Sequence, residues 1–227
     1  EFSEYISGAG VQPIIGCTFA VKLEADRPAE KVTSAGTLVL LAQDETGYRN
    51  LMALSSSAFL DVEPSEEPSI TLQAILKRHE GLICLTGGYD GVLNRLVCAD
   101  KAPKAGEVLD RLEQVFADRL YIELQRHGRA EELKAEDWLV PEAYRRQIAL
   151  VATNEPFFAS PDRHEAHDAL MCIAQSSYLI VDDRRKVTPD HDFKSAEAMR
   201  SLFADLPEAI DNTLDIARRC AYRPVTC

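Results

Sequence analysis

The chain has 227 residues, enough for one domain or two small ones, and 46% of them are hydrophobic and 27% charged. This composition excludes collagen-like, low-complexity and disordered chains. The longest apolar runs fall far short of the ~20 residues that cross a bilayer, so we expect no membrane contact. The formal net charge of -12 disfavours direct nucleic-acid binding, because neutralising phosphates requires a surplus of Lys and Arg.

The six cysteines, at positions 17, 84, 98, 172, 220 and 227, form no C-x-x-C pair. This usage is typical of buried free thiols in a reducing cytoplasm, and not of a disulfide framework or a zinc ribbon. We therefore expect a cytoplasmic protein. The chain opens at Glu1 without an initiator Met or a signal-peptide pattern, and we expect it to be a fragment.

Short apolar runs alternate with amphipathic stretches, a pattern that favours βα units around a parallel sheet. We predict five strands, at residues 14–21, 37–43, 81–86, 120–125 and 148–153, and helices that include 71–79, 106–118 and 207–220. A further helix follows Ser160-Pro161, with Ala166, Ala169, Leu170 and Ile173 predicted on its buried face. Two architectures remain open: a doubly wound open sheet, or a βα barrel without its first strands.

Catalytic groups of βα proteins lie at the carboxyl ends of strands. Those positions offer Glu123, His127 and Glu155 as acids, bases or metal ligands, and Asp90 in a glycine-rich turn. For Glu123, a buried hydrogen-bonded carboxylate is slightly favoured over catalysis. Thr86-Gly87-Gly88 has neither G-x-G-x-x-G nor a Walker lysine, so a tight turn is favoured over a phosphate cradle.

The remaining histidines have simpler interpretations. His164 and His167 have the i, i+3 spacing of a metal site, but at a charged helix start a solvated position or a tertiary hydrogen bond is favoured. We predict that His79 and His191 are exposed. The basic run Arg184-Arg185-Lys186 is interpreted as a solvated loop.

Five strings carry a family resemblance: Val11-Gln12-Pro13-Ile14-Ile15-Gly16-Cys17; Leu40-Leu41-Ala42-Gln43-Asp44 with Gly47-Tyr48-Arg49-Asn50-Leu51; Ile122-Glu123-Leu124-Gln125-Arg126-His127-Gly128; Val151-Ala152-Thr153-Asn154; and Glu165-Ala166-His167-Asp168-Ala169-Leu170. Together they resemble the PHP (polymerase and histidinol phosphatase) domain of bacterial DNA polymerase III alpha subunits, through nearly the whole chain. The resemblance implies an α/β fold, a distorted TIM-like seven-stranded barrel that lacks its first strand or strands here. It also implies a PHP domain over 1–223 and a linker start over 224–227.

In metal-competent relatives, as this resemblance implies, a multinuclear site occupies the barrel mouth. Thr18 stands at the position of a glutamate ligand, Thr37 at that of a histidine and Gly88 at that of a cysteine, while Glu155 and Phe157 replace an aspartate and a histidine. Threonine, glycine and phenylalanine supply no strong ligand. We therefore expect no catalytic residue, no cofactor and no metal, with Glu123, His127 and Glu155 as remnants.

The resemblance implies a structural platform that docks a proofreading exonuclease subunit and packs against the rest of a polymerase chain. DNA synthesis with Mg²⁺ would then belong to the polymerase domain of the parent chain. The alternative is an active metal-dependent phosphoesterase or 3'-5' proofreading nuclease that uses Glu123, His127 and Glu155. A third interpretation, an unrelated cytosolic α/β protein, is disfavoured by five ordered motif matches.

Overall fold

The computed structural model describes residues 2–23, 34–63 and 65–224. Expectations for Glu1, Pro64, Cys227 and most of the 224–227 segment lie outside these residues. The described cysteines are all free thiols, as predicted; Cys84, Cys172 and Cys220 are buried, whereas Cys17 and Cys98 are only half-buried.

The described residues form one six-stranded sheet. Its strands are β1 (Gly16–Lys22), β2 (Ser34–Ala42), β3 (Ile70–Thr71), β4 (Leu82–Leu85), β5 (Leu120–Leu124) and β6 (Ala149–Ala152), in the order β3-β1-β2-β4-β5-β6. All five predicted strands are present, and the two-residue β3 is added to them. The α/β fold class is confirmed, and the sheet is consistent with a PHP barrel-like fold.

Strand β2 departs from the predicted parallel arrangement, because it pairs antiparallel with both β1 and β4. The other pairs are parallel. An apolar run predicts that a strand is buried but not which way it runs, so the sequence could not predict the antiparallel pairing of β2. As a result, Gln43 and Asp44 follow β2 at the edge of the sheet opposite to the carboxyl ends of β4, β5 and β6.

Nine helices of α type accompany the strands within the described ranges. They are α1 (Phe2–Gly8), α2 (Glu45–Leu60), α3 (Leu72–Lys77), α4 (Val92–Cys98), α5 (Ala102–Phe116), α6 (Ala130–Arg146), α7 (His164–Ala174), α8 (Ala196–Leu202) and α9 (Pro207–Arg219). Polar caps fix several starts: the Asp44 carboxylate accepts the Gly47 N–H, and the Thr71 hydroxyl accepts the Ala74 N–H. Within the described ranges, none of the helices has the length and apolar character needed to cross a membrane.

Side-chain alternation divides the sheet into two faces. Ile122 and Leu124 point into the large core beneath the helices, whereas Tyr121 lies on the other face with Val151. On that second face, Ile216 and Cys220, at the end of α9, pack against the sheet. By the same alternation, Glu123 lies on this second face with Tyr121.

The predicted buried face of α7 is wrong. Leu170 is 64% exposed and Ile173 is 74% exposed, and the following residues Tyr178, Leu179 and Ile180 are also largely exposed. We refer to these five residues as the α7 surface. An apolar stripe identifies the hydrophobic side of a helix, but what covers that side depends on residues elsewhere.

Candidate functional site

The carboxyl ends of β4, β5 and β6 lie side by side and place Glu123 in the interior. Glu123 is 4% exposed. Its carboxylate accepts the Gly87 N–H at 3.0 Å and the Thr153 hydroxyl at 2.5 Å. Burial raises the pKa of Glu123, and these hydrogen bonds only partly oppose that effect. The predicted buried, hydrogen-bonded carboxylate is confirmed, and its partners are neutral groups.

The glycine-rich turn after β4 is held by the neighbouring strand end. Gly87 has a φ of 94°, and a Cβ there would lie 2.5 Å from the Thr37 carbonyl oxygen, so the turn requires glycine. The Gly87 N–H donates to Glu123, and the Tyr89 N–H donates to the Gln125 side-chain oxygen at 3.1 Å. These donors are used within the protein, which supports the tight-turn interpretation over a phosphate cradle.

His127 is 1% exposed and both of its ring nitrogens are hydrogen-bonded. Nδ1 lies 2.8 Å from a Glu132 carboxylate oxygen, and Nε2 lies 3.0 Å from the Asn154 side-chain oxygen. The Asn154 amide nitrogen donates to the Asp192 carbonyl, which turns its oxygen toward His127. Both ring nitrogens are therefore occupied by hydrogen-bonding partners inside the protein.

Glu132 is a site residue that the sequence analysis missed. It is 5% exposed, lies in the first turn of α6, and also accepts the backbone N–H groups of His127 and Arg129. Burial acts to raise the pKa of Glu132, but the hydrogen bonds from His127 and Arg129 outweigh it and the pKa is lowered. An acidic residue at the third helical position is a recognisable N-terminal signal that could have indicated this role.

A stack of rings surrounds His127. The His191 ring lies 3.9 Å from the His127 ring, between centroids, and Phe157 stacks on His191 at 5.6 Å and on His167 at 5.4 Å. The prediction that His191 is exposed is wrong, since it is 3% exposed. Burial and the neighbouring His127 lower the pKa of His191 to about 4, and the Thr188 N–H donates to its Nδ1.

Arg126, next to His127, connects this site to the C-terminal helices. Its guanidinium donates to Glu136 on α6 and to Asp205, which lies between α8 and α9. It also lies 4.6 Å from the centre of the Phe203 ring. These hydrogen bonds hold the pKa of Arg126 above its ordinary value. Arg126 thus contacts the C-terminal helices, whereas the adjacent His127 contacts Glu132 and Asn154.

Two other predicted site residues, Asp90 and Glu155, line one cavity beside the strand ends. Glu155 is exposed, and Asp90 forms an ion pair with Arg95 at 2.9 Å. His164 makes a tertiary hydrogen bond from Nε2 to the Val187 carbonyl, whereas His167 packs between Phe157 and Phe158. His164 thus makes the tertiary hydrogen bond that the sequence favours, and both histidine rings contact Phe158.

These positions do not fit the metal centre that the fold family implies. The atoms of Glu123 and His127 that could bind a metal make hydrogen bonds to the protein, and the Phe157 side chain has no atom that binds a metal. Over residues 2–23, 34–63 and 65–224, no group of three His, Cys, Asp or Glu side chains is arranged to hold a metal ion.

Comparison with known proteins places the fold and the motifs in a family. The family model for the PHP domain matches residues 1–127, more than half of the chain. The chain belongs to the PHP domain family. The resemblance seen in its motifs is thereby confirmed.

Curated relatives extend the match to nearly the whole chain. It is 51% identical over 222 residues to DNA polymerase III subunit alpha of Caulobacter vibrioides, covering 98% of this chain and 19% of that protein. The same-named proteins of Rickettsia bellii and Escherichia coli are 37% and 34% identical, over 98% and 94% of this chain and 18% of each relative. The PHP chain therefore spans about a fifth of the length of these relatives.

Proposed function

We propose that this chain is the PHP domain of a cytoplasmic bacterial DNA polymerase III alpha subunit and serves there as a structural platform. The observation that carries the proposal is the engagement of both His127 ring nitrogens by Glu132 and Asn154. Side chains at the strand ends are committed to hydrogen bonds and stacking, which are structural uses. In this proposal the metal site is degenerate, and DNA synthesis with Mg²⁺ belongs to the rest of the parent chain.

Metal content and hydrolysis test this role directly. We expect the protein, incubated with Zn²⁺ or Mn²⁺ and desalted, to retain less than one ion per chain and to hydrolyse no phosphodiester. His127→Gln should lower the unfolding midpoint by breaking buried hydrogen bonds, with metal content unchanged. Glu131→Gln, at an exposed position of α6 that no interpretation places in the metal site, is the matched control. Two or more tightly held ions per chain, lost in His127→Gln, would establish the phosphoesterase alternative instead.

The exonuclease subunit is the second part of the proposal. The α7 surface presents clustered exposed apolar side chains, and patches of that kind mark protein interaction sites. The overall charge of -12 favours a protein partner over DNA. We infer that the α7 surface contributes to docking the proofreading exonuclease subunit.

The docking test compares apolar-to-acidic changes on two surfaces. Ile173→Glu and Ile180→Glu should each weaken binding of the purified exonuclease subunit at least about tenfold, as expected for a truncated or charged hot spot. Leu60→Glu, at an 80% exposed position on α2, should leave the affinity unchanged. Loss of affinity in all three variants, or no binding by the wild type, would contradict docking on this surface.

A further inference from the structure

A pocket of about 220 Å³ opens beside helix α7 and adjoins the α7 surface. Met171 and Ala174 of α7 line it, and each is next in sequence to a residue of that surface. Phe157 and Val187 complete the apolar lining, and the polar members are His167, Gln175 and Arg185. Among the described residues, no Asp or Glu side chain lines this pocket. It is therefore distinct from the hydrogen-bonded carboxylates at the strand ends.

The size of the pocket suits one side chain of a partner protein. Sites for cofactors and other small molecules range over ~300–1,000 Å³, which is larger than this pocket. At protein interfaces, by contrast, most of the binding energy comes from a few side chains that each fill one pocket. The pocket therefore has the dimensions of a receptor for a single anchoring side chain.

The lining favours an aromatic anchor. Phe157 is stacked between His167 and His191, so the edge of its ring is available and its faces are not. A ring edge attracts the face of another ring, and the thioether of Met171 makes favourable contacts with aromatic rings. An aromatic side chain would thus gain more here than an aliphatic one of similar size.

Arg185 gives the lining a positive charge that the protein itself does not neutralise. The neighbouring Arg184 pairs with Asp168. Lys186, on its other side, pairs with Asp182. Arg185 is exposed and, within the described part of the chain, has no carboxylate partner. Charge complementarity therefore calls for an acidic group next to the anchor.

We propose that this pocket receives one aromatic side chain of the exonuclease subunit, next to an Asp or Glu that pairs with Arg185. The proposal rests on docking at the α7 surface and assigns an anchor to that docking. The α7 surface includes residues of α7 and of the segment after it, so a partner chain that covers it runs on beyond the pocket. An acidic side chain therefore supplies the carboxylate, and not the end of the partner chain.

The affinity for the purified exonuclease subunit tests the anchor, with the longest polypeptide that the reading frame encodes as the binding protein. Ala174→Trp should fill the pocket and weaken binding at least about tenfold. Ala198→Trp, the same change at an exposed position of α8, should leave the affinity unchanged. Arg185→Met should weaken binding about two- to fivefold, as expected for an exposed ion pair. Arg200→Met, also exposed on α8, is its control.

Ligand-observed NMR with small probes tests the pocket without the partner. N-acetyl-Phe-Glu amide should bind the wild type more tightly than N-acetyl-Phe-Gln amide, and N-acetyl-Ala-Glu amide should not bind. Ala174→Trp should abolish binding of both aromatic probes. Arg185→Met should remove the preference for the acidic probe, because it removes the only cation of fixed charge in the described lining.

The results separate the anchor from the docking on which it rests. Unchanged exonuclease affinity in Ala174→Trp, with affinity lost in Ile173→Glu, would overturn the anchor and leave docking on the α7 surface intact. No exonuclease binding by the wild type would overturn both. The anchor would also be overturned by equal losses in Ala174→Trp and Ala198→Trp, by no binding of the aromatic probes at about 10 mM, or by equal binding of the acidic and neutral probes.

Discussion

Glu123 is an acidic side chain in a buried position where only neutral groups meet its carboxylate. Its donors are the Gly87 N–H and the Thr153 hydroxyl. Removing the carboxylate leaves those donors without an acceptor. No charged partner is left unpaired by this change, and leaving one unpaired would lower the free energy of unfolding far more.

We expect Glu123→Ala to lower the free energy of unfolding by about 1–3 kcal/mol, the cost of buried donors left unsatisfied. Urea denaturation measures the change. Glu155→Ala, also at a strand end but exposed, is the control and should stay within about 0.5 kcal/mol of wild type. Stability that is unchanged or improved in Glu123→Ala would point to a carboxylate kept for chemistry.

The same residue predicts a pH dependence. Burial raises the pKa of folded Glu123, so its stabilising contribution is complete below the unfolded pKa of ~4.3 and is lost as pH rises through the folded pKa. Glu123→Gln does not titrate there. The stability of wild type relative to Glu123→Gln should therefore fall as the pH rises from about 4 toward neutrality. A difference that is constant or grows over this range would contradict the raised pKa.

Sequence reasoning succeeded at Glu123 and failed at His191 for identifiable reasons. The burial of Glu123 follows from strand alternation, a local signal. His191 lies in a Pro-Asp-His-Asp turn, which by itself indicates exposure. His191 is buried by His127 and Phe157, which are distant in the sequence. The residues of the turn alone therefore could not predict its burial.

Helix α2 meets the start of β4 at a contact that only glycine permits. A Cβ on Gly47 would lie 1.9 Å from the Gly81 carbonyl oxygen, a backbone atom that cannot rotate away. That carbonyl also accepts the Gln43 N–H. Nearby, the Asn50 amide donates to the Glu80 carbonyl. The contact explains part of the Gly47-Tyr48-Arg49-Asn50-Leu51 string in physical terms.

We expect Gly47→Ala to lower the free energy of unfolding by about 2–3 kcal/mol, because the overlap forces backbone movement. Gly106→Ala, in the middle of α5 where a Cβ meets no atom, should instead raise it by about 0.5–1 kcal/mol through helix propensity. Thermal or urea unfolding of both variants checks the contrast. Equal effects in the two variants would show that propensity, and not the contact, governs Gly47.

At the level of elements, all five strands were predictable and two arrangements were not. Apolar runs located β1, β2, β4, β5 and β6 to within a few residues. The reversed direction of β2 depends on its pairing with β1 and β4, and the apolar sequence of β2 is the same for either direction. The exposure of Leu170 and Ile173 depends on what packs against α7. The apolar stripe of α7 has the same sequence whether or not another element packs on it.

For the molecule as a whole, net charge governs nucleic-acid binding. With a formal charge of -12, we expect affinity for primed DNA no better than the ~10⁻⁴ M of weak non-specific binding at physiological salt. Fluorescence anisotropy at several salt concentrations measures it. Micromolar binding that weakens steeply with added salt would show a phosphate-neutralising surface and contradict this expectation.

The ring stack also limits how this protein can change by single mutations. A Phe157→His substitution would add a potential ligand, yet both His127 nitrogens would still be held by Glu132 and Asn154. His127 would have to lose two buried hydrogen bonds before it could bind an ion, which lowers stability first. A lineage that acquires this packing therefore returns to metal binding only through less stable intermediates, against which selection acts.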